Sequence, residues 1–257
     1  MLADEGKAEA EFYLATCYRE GYGPKNGGKN FSKAFYWMRR AAEHGYAFAM
    51  NDTGYYFEYG IGTDKSMKDA SYWYEKAGEA GDASGYSNLG RIYYLGEGGC
   101  INYDKAFSYY SKAARMGHAG SQYQLAIMYY EGKGTAKSLP QTIKWLKEAA
   151  NQEHADAMSY LAIMYQFGEG VEKDCAKAAD LYKRSFLKGN IPAEANLAEL
   201  YHEGEGVEKD LEKGFILYLH AAENGDVCSQ TQLGKAYLNG EGTRKSLMLH
   251  THVIYDT

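Results

Sequence analysis

The segment from Ala157 to Tyr182 reads AMSYLAIMYQFGEGVEKDCAKAADLY, with two apolar stretches on either side of a glycine-containing loop. In both stretches the apolar residues recur at the three- and four-residue spacing of a helix face. The loop from Gly168 to Asp174 recurs without change at Gly204 to Asp210, which is 36 residues later. The segment therefore predicts a helix, a turn and a second helix that are repeated along the chain.

The same unit occurs along nearly the whole sequence of 257 residues, as an aromatic residue with glycines near three and five residues later. After one step of 39 residues, the period is 36 every time. A period in this range indicates one supersecondary unit stacked many times. We predict an all-α fold of about seven 36-residue helix-turn-helix repeats in one array over residues 1–257. The expected repeats are about 7–45, 46–81, 82–117, 118–153, 154–189, 190–225 and a partial 226–257.

Two columns of residues predict how the helices of one repeat pack together. The first helix carries a small residue one position after its leucine, and the second carries a large residue followed four positions later by a small one. Large residues opposite small ones allow two helices to approach closely. The small column of the first helix is Ala15, Gly54, Gly90, Ala126, Ala162, Ala198 and Gly234. The large column of the second helix is Trp37, Trp73, Tyr109, Trp145, Leu181 and Leu217.

Composition and charge argue against several classes of protein. The net charge is −6, and lysine and arginine are dispersed among acidic residues, so no basic stripe is available for nucleic acid. The apolar runs are short and the N-terminus lacks the features of a signal peptide, which predicts no membrane insertion and a cytoplasmic location. The four cysteines share no repeat position, so no disulfide framework is expected.

No cluster of residues predicts a cofactor, a metal ion or catalysis. The loop at Gly168 lies between two helices, with no preceding strand and no suitably placed lysine, so it does not match a phosphate-binding loop. His118 and His154 fall in the first turns of helices, and His250 with His252 lacks further metal ligands. The carboxylates recur by repeat and do not converge on one place. We therefore expect no cofactor, no metal and no catalytic residue.

The repeat pattern, small-x-x-x-Leu-Gly-x-x-Tyr-x-x-Gly-x-Gly-Val-x-x-Asp followed by Lys-Ala-x-x-Trp-Tyr-x-Lys-Ala-Ala-x-x-Gly, resembles the Sel-1-like repeat family from about Lys7 to Gly242. This family is related to the tetratricopeptide repeats. The resemblance implies a right-handed superhelix of antiparallel helix pairs that binds a protein or an extended peptide along its concave face, as a scaffold or adaptor. Some cysteine-rich relatives carry a β-lactamase label, but this chain lacks their paired cysteines. A hydrolase or a regulator controlled by a small ligand is the alternative.

A helical wheel places three positions of each first helix opposite the core. They are polar in most repeats, as at Asn51 and Glu58, but apolar or aromatic in the fourth and at one position of the fifth. Contiguous exposed apolar residues indicate interaction surfaces. The alternative is that the helix phase or the loops bury these side chains. The predicted strip for a bound peptide consists of Tyr94, Tyr123, Ile127, Tyr130 and Ile163.

A second column beside this strip is rich in amides. Asn88, Gln124 and Asn196 present donor and acceptor together, which suits hydrogen bonding to the backbone of an extended peptide. The alternative is that this column forms hydrogen bonds between adjacent repeats. The oligomeric state is left open, and residues 243–257 depart from the pattern, as a fragment end, a different cap or a tail.

Overall fold

The computed structural model describes residues 7–22 and 28–240. In these two ranges the chain forms thirteen helices, each thirteen residues long, and no strand. The helices are α1 (Ala8–Glu20), α2 (Phe31–Glu43), α3 (Ala47–Tyr59), α4 (Met67–Glu79), α5 (Ala83–Leu95), α6 (Tyr103–Arg115), α7 (Ala119–Glu131), α8 (Leu139–Asn151), α9 (Ala155–Phe167), α10 (Cys175–Leu187), α11 (Ile191–Glu203), α12 (Leu211–Glu223) and α13 (Val227–Asn239). The predicted all-α repeat fold is confirmed. Residues 243–257, with His250 and His252, lie outside the described residues.

The contacts divide the chain into two compact units, Met1–Ser138 and Leu139–Thr257. Within the first unit each helix from α1 to α7 packs against the next one in the chain. Within the second unit the same is true from α8 to α13. Each unit is thus an all-α solenoid of consecutive helices, while the predicted single array over residues 1–257 stays a prediction. None of the thirteen helices is long and apolar enough to cross a membrane.

The helix boundaries follow from capping residues at both ends. The Asn102 side chain accepts a hydrogen bond from the Lys105 amide at 2.9 Å, which satisfies one of the free donors at the start of α6. His118 and His154 cap α7 and α9 in the same way through Nδ1. First helices end at a glycine in the left-handed conformation, such as Gly168 with φ of 71°. The two histidines thus have a structural role at helix starts.

Within a repeat, the small residue of the first helix receives a large side chain from the second helix. A methyl group at Gly54 would lie 2.7 Å from the Tyr74 ring, and one at Gly90 would lie 2.7 Å from the Tyr110 ring. Tyr74 is fully buried. Glycine inside a helix costs about 1 kcal/mol relative to alanine. This cost is offset because a methyl group at either of these two positions would overlap the tyrosine ring.

Between repeats, the second glycine of several loops contacts the start of the preceding second helix. A methyl group at Gly206, where φ is 71°, would lie 2.1 Å from the Cys175 carbonyl carbon. Gly62 meets the Phe31 backbone and Gly134 the Tyr103 backbone at nearly the same distance. The loop glycines therefore set how closely one repeat stacks on the next.

We predict that Gly206→Ala destabilises the protein much more than Gly189→Ala does. Both glycines have a positive φ, but nothing lies within 4 Å of a methyl group at Gly189. The left-handed conformation alone costs a non-glycine residue about 1–2 kcal/mol, and the clash adds about 1–3 kcal/mol. Urea unfolding of the two variants measures the difference. Equal losses of unfolding free energy would show that stacking does not depend on this contact.

Candidate functional site

The first helices of the first unit, α1, α3, α5 and α7, present one connected surface, which we call the first-helix face. Side chains of each of these helices contact those of the next one, so the surface continues from α1 to α7. Four pairs make these links: Arg19 with Asp52 at 3.7 Å, Asn88 with Asn51 at 2.9 Å, Arg91 with Glu58 at 2.5 Å, and Tyr94 with Glu131 at 3.4 Å.

Large apolar side chains on this face are open to solvent. Tyr55 is 47% exposed and Tyr59 is 53% exposed, and their ring centroids are 4.6 Å apart. Leu95, one repeat further along, is at the position of Tyr59 and is 54% exposed. Paired aromatic rings of this kind offer a large apolar area together with hydrogen-bonding hydroxyl groups. This part of the face can therefore accept apolar side chains of another molecule.

The residues of the predicted strip are all half-buried. Tyr94 lies on α5, with Tyr123, Ile127 and Tyr130 on α7, and Ile163 lies on α9 of the second unit. Lys133 donates to the Tyr94 hydroxyl at 3.1 Å. Tyr123 and Tyr130 also interact within the chain. The strip therefore contributes both to packing and to the accessible surface, and its role in recognition stays a prediction.

The amide column contributes to contacts between neighbouring repeats. Asn88 donates from Nδ2 to Asn51 Oδ1 of the preceding repeat at 2.9 Å. Gln124 is half-buried on α7, and Asn196 is half-buried on α11 of the second unit, beside the Tyr182 hydroxyl. At Asn88 the geometry favours a bond between repeats. Backbone recognition by Asn88, Gln124 and Asn196 remains a prediction.

A buried carboxylate lies beneath the first-helix face. Glu58 is 3% exposed and accepts hydrogen bonds from the Tyr74 hydroxyl at 2.6 Å and from Arg91 Nη2 at 2.5 Å. Burial raises the pKa of Tyr74, and its hydrogen bond to the Glu58 carboxylate raises that pKa further. The helical wheel places Glu58 outward, which is wrong because Tyr74 on α4 reaches this position and needs an acceptor. In the second unit Tyr182 donates to Gln166 at 2.7 Å in the same way.

A pocket of about 250 Å³ opens beside the exposed tyrosine pair. Burial raises the pKa of Asp52, and the positive charge of Arg19 opposes this shift. Tyr56 is 2% exposed, and Arg19 lies beside its hydroxyl. The pocket therefore offers an apolar wall and the Arg19–Asp52 charge pair to a bound molecule. Its lining consists of Arg19, Phe31, Asp52, Tyr55, Tyr56 and Ile61.

Groups that could bind a metal ion do not come together in the part of the chain that the structure describes. In residues 7–22 and 28–240, no three His, Cys, Asp or Glu side chains are close enough to hold a metal ion. His118 lies 3.0 Å from Ser121, but Ser121 is fully buried at a helix start. All four cysteines are free thiols.

We predict that Glu58→Ala costs about 3 kcal/mol of unfolding free energy, because it leaves the buried Tyr74 hydroxyl without its acceptor and removes the buried carboxylate that pairs with Arg91. Glu97→Ala is the matched control, since Glu97 is an exposed partner of the same Arg91. It is expected to cost less than about 1 kcal/mol. Chemical denaturation of both variants gives the comparison. A similar small cost for the two would mean that the Glu58 network contributes little to stability.

The sequence profile described as Sel1 repeat matches nearly the whole chain, in seven stretches. These are residues 8–46, 47–82, 83–118, 119–154, 155–190, 191–226 and 229–248.

Two crystal structures resemble this chain over 95% of its length. One is c5321, described as a protective antigen present in uropathogenic Escherichia coli strains displaying an SLR fold, with 30% identity and a TM-score of 0.87. The other is a Sel1 repeat protein from Oxalobacter formigenes, with 28% identity and a TM-score of 0.77. The matches cover 52% and 70% of those two chains, so this chain spans about half the length of the E. coli protein. Together with the seven matched repeats, these likenesses show that the chain belongs to the Sel1 repeat family.

Proposed function

We propose that this chain is a non-catalytic scaffold that binds a protein segment or an extended peptide on the first-helix face of the first unit. The observation that carries the proposal is the exposed pair Tyr55 and Tyr59, together with Leu95 at the equivalent position of the next repeat. Three large side chains open to solvent on adjoining helices form the kind of patch that marks an interaction surface. The Sel1 repeat fold is a scaffold typical of protein–protein interaction, which agrees with this assignment.

The charges around this patch point to recognition by shape and apolar contact more than by net charge. Arg91 already pairs with Glu58 and Glu97, and Lys133 pairs with Glu131 at 2.8 Å. A partner that binds here meets charges that are largely neutralised within the chain. We therefore expect its affinity to depend only weakly on salt concentration.

The pocket beside Tyr55 adds specificity to this surface. Its Arg19 and Asp52 side chains are partly exposed and can form charge-assisted hydrogen bonds with a polar group of a bound segment. Ile127 and Tyr130, half-buried on α7, extend the apolar surface along the face. A hydrolase, the alternative from the cysteine-rich relatives, gains no support from any site described above, and the family match indicates no catalytic family.

We predict that the double variant Tyr55→Ala/Tyr59→Ala weakens peptide binding by about tenfold or more, because central aromatic residues carry much of the binding energy of an interface. Peptides selected by panning a random phage-display library on the wild-type chain serve as probes. Their affinity for both proteins is measured by isothermal titration. The selected peptides are also measured at low and high salt.

The matched control is Tyr36→Ala/Tyr72→Ala, which removes two tyrosines of α2 and α4 that are 56% and 54% exposed. This control is expected to leave the affinities unchanged. Equal losses in the two double variants, or no loss in the first, would contradict the assignment to the first-helix face. Circular dichroism and urea unfolding establish that every variant is folded.

A further inference from the structure

Two grooves in the second unit occupy equivalent places in consecutive repeats. The α8–α10 groove has a volume of about 630 Å³ and the α10–α12 groove about 230 Å³. Each is formed by two neighbouring second helices, with the first helix between them as its floor. The floor of the first groove includes Leu161 and Tyr165, and that of the second includes Leu197 and Tyr201, which are 36 residues further along. The grooves are therefore a repeated structural feature and not an irregularity of one loop.

One substitution in the repeat pattern explains why these grooves are open. Leu181 and Leu217 line them at the position where the earlier repeats have tryptophan or tyrosine. In the first unit the equivalent Tyr109 fills the space: its ring stacks on Tyr93 at 5.7 Å and its hydroxyl donates to Glu75 at 3.2 Å. A leucine is too small to do the same. The surface is thus opened by a smaller residue in an otherwise unchanged framework.

The α10–α12 groove has an apolar rim that is exposed to solvent. Leu187 is 70% exposed and Ile216 is 54% exposed, and both line the groove. Leu217 and Leu197 form its interior with Tyr201. Exposed leucine and isoleucine beside a concavity provide the apolar contact that a large aliphatic or aromatic side chain requires.

The charged groups that line this groove are both lysines. Lys213 pairs with Asp210 at 3.0 Å and lies over the Tyr201 ring at 5.5 Å from its centroid. Lys183 has no ion pair among the described residues, and the nearby Asp180 pairs with Arg184 at 3.8 Å. One positive charge at the groove therefore remains uncompensated although the whole chain is acidic. This local charge complements an acidic ligand.

We propose that the α10–α12 groove binds an acidic protein segment, with a large apolar side chain of that segment between Leu187 and Ile216 and one of its carboxylates beside Lys183. The groove is formed by helices of the second unit, whereas the first-helix face belongs to the first unit. This proposal therefore does not depend on the proposed function. The occupant is a segment of another protein with apolar residues set among glutamates and aspartates.

The probe is a short fluorescein-labelled peptide in which leucine and phenylalanine lie between glutamates, and its binding is followed by fluorescence anisotropy. Two matched peptides have the apolar residues replaced by serine or the glutamates replaced by lysine. The acidic apolar peptide is expected to bind the wild-type chain more tightly than about 1 mM, and each matched peptide at least about tenfold more weakly.

Leu217→Trp introduces the residue that earlier repeats have at this position and is expected to reduce the affinity by about tenfold or more by filling the groove. Lys183→Glu is expected to reduce it about fivefold and to change its salt dependence, while Lys209→Glu, at an exposed loop lysine, makes the same charge change as a control. Tyr55→Ala/Tyr59→Ala is expected to bind the peptide as the wild type does. That variant separates a failure of this proposal from a failure of the first-helix face.

Unchanged affinity in both Leu217→Trp and Lys183→Glu would overturn the proposal, as would equal binding of the serine peptide. Leu217→Trp is tested for folding by urea unfolding, and Lys183→Glu gives an independent result if the tryptophan variant does not fold. Two further outcomes also overturn it. If the wild-type chain dimerises and Leu217→Trp abolishes the dimer, the groove binds a second copy of the chain. If removal of residues 241–257 strengthens peptide binding, the groove is occupied by that segment of the same chain.

Discussion

The structure depends on the close contact of a large side chain on one helix with a small residue on the next. The rings of Tyr74 and Tyr110 lie where a methyl group on Gly54 or Gly90 would be. Because the helices can approach this closely, the two helices of a repeat bury apolar surface against each other, and the neighbouring repeats cover the rest. The loop glycines allow an equally close contact between one repeat and its neighbour, as between Gly206 and the start of α10. Spacing inside a repeat thus rests on small residues, glycine or alanine, and spacing between repeats rests on loop glycines.

Surfaces that differ between repeats arise where one copy departs from this plan. On the first-helix face, Tyr55 and Tyr59 occupy positions that are polar in some copies, as at Arg91 and Glu131, and Glu58 is buried beneath this face. In the second unit, leucines at 181 and 217 replace an aromatic residue and open grooves. The framework is preserved in both cases, since neither change touches the glycines or the small residues. The positions at which the repeats differ are therefore the most informative about function.

Most of the fold could be predicted from the sequence. The repeat period, the spacing of apolar residues in each helix and the turn glycines are local properties, and they recur in all seven repeats. The site could be predicted only in part. The wheel that places Glu58 outward treats the helix as if it stood alone, while Tyr74 on α4 covers that position. The amide of Asn88 can form hydrogen bonds with solvent or with Asn51. The sequence does not distinguish these two partners, because the choice depends on where the neighbouring helix lies. Predicting the grooves also requires a comparison between repeats. A leucine at this position indicates an open space only because the other copies have tryptophan or tyrosine there.

The uniform helix length has a consequence for how such a chain can change in length. Every described helix has thirteen residues and is about 20 Å long. Inserting one residue into a helix would turn all later side chains of that helix by about 100° and move its small residue away from its partner. Insertions and deletions are therefore tolerated only between helices. The three additional residues of the first repeat lie in the sequence between the end of α1 and the start of α2, so they leave the register of both helices unaffected.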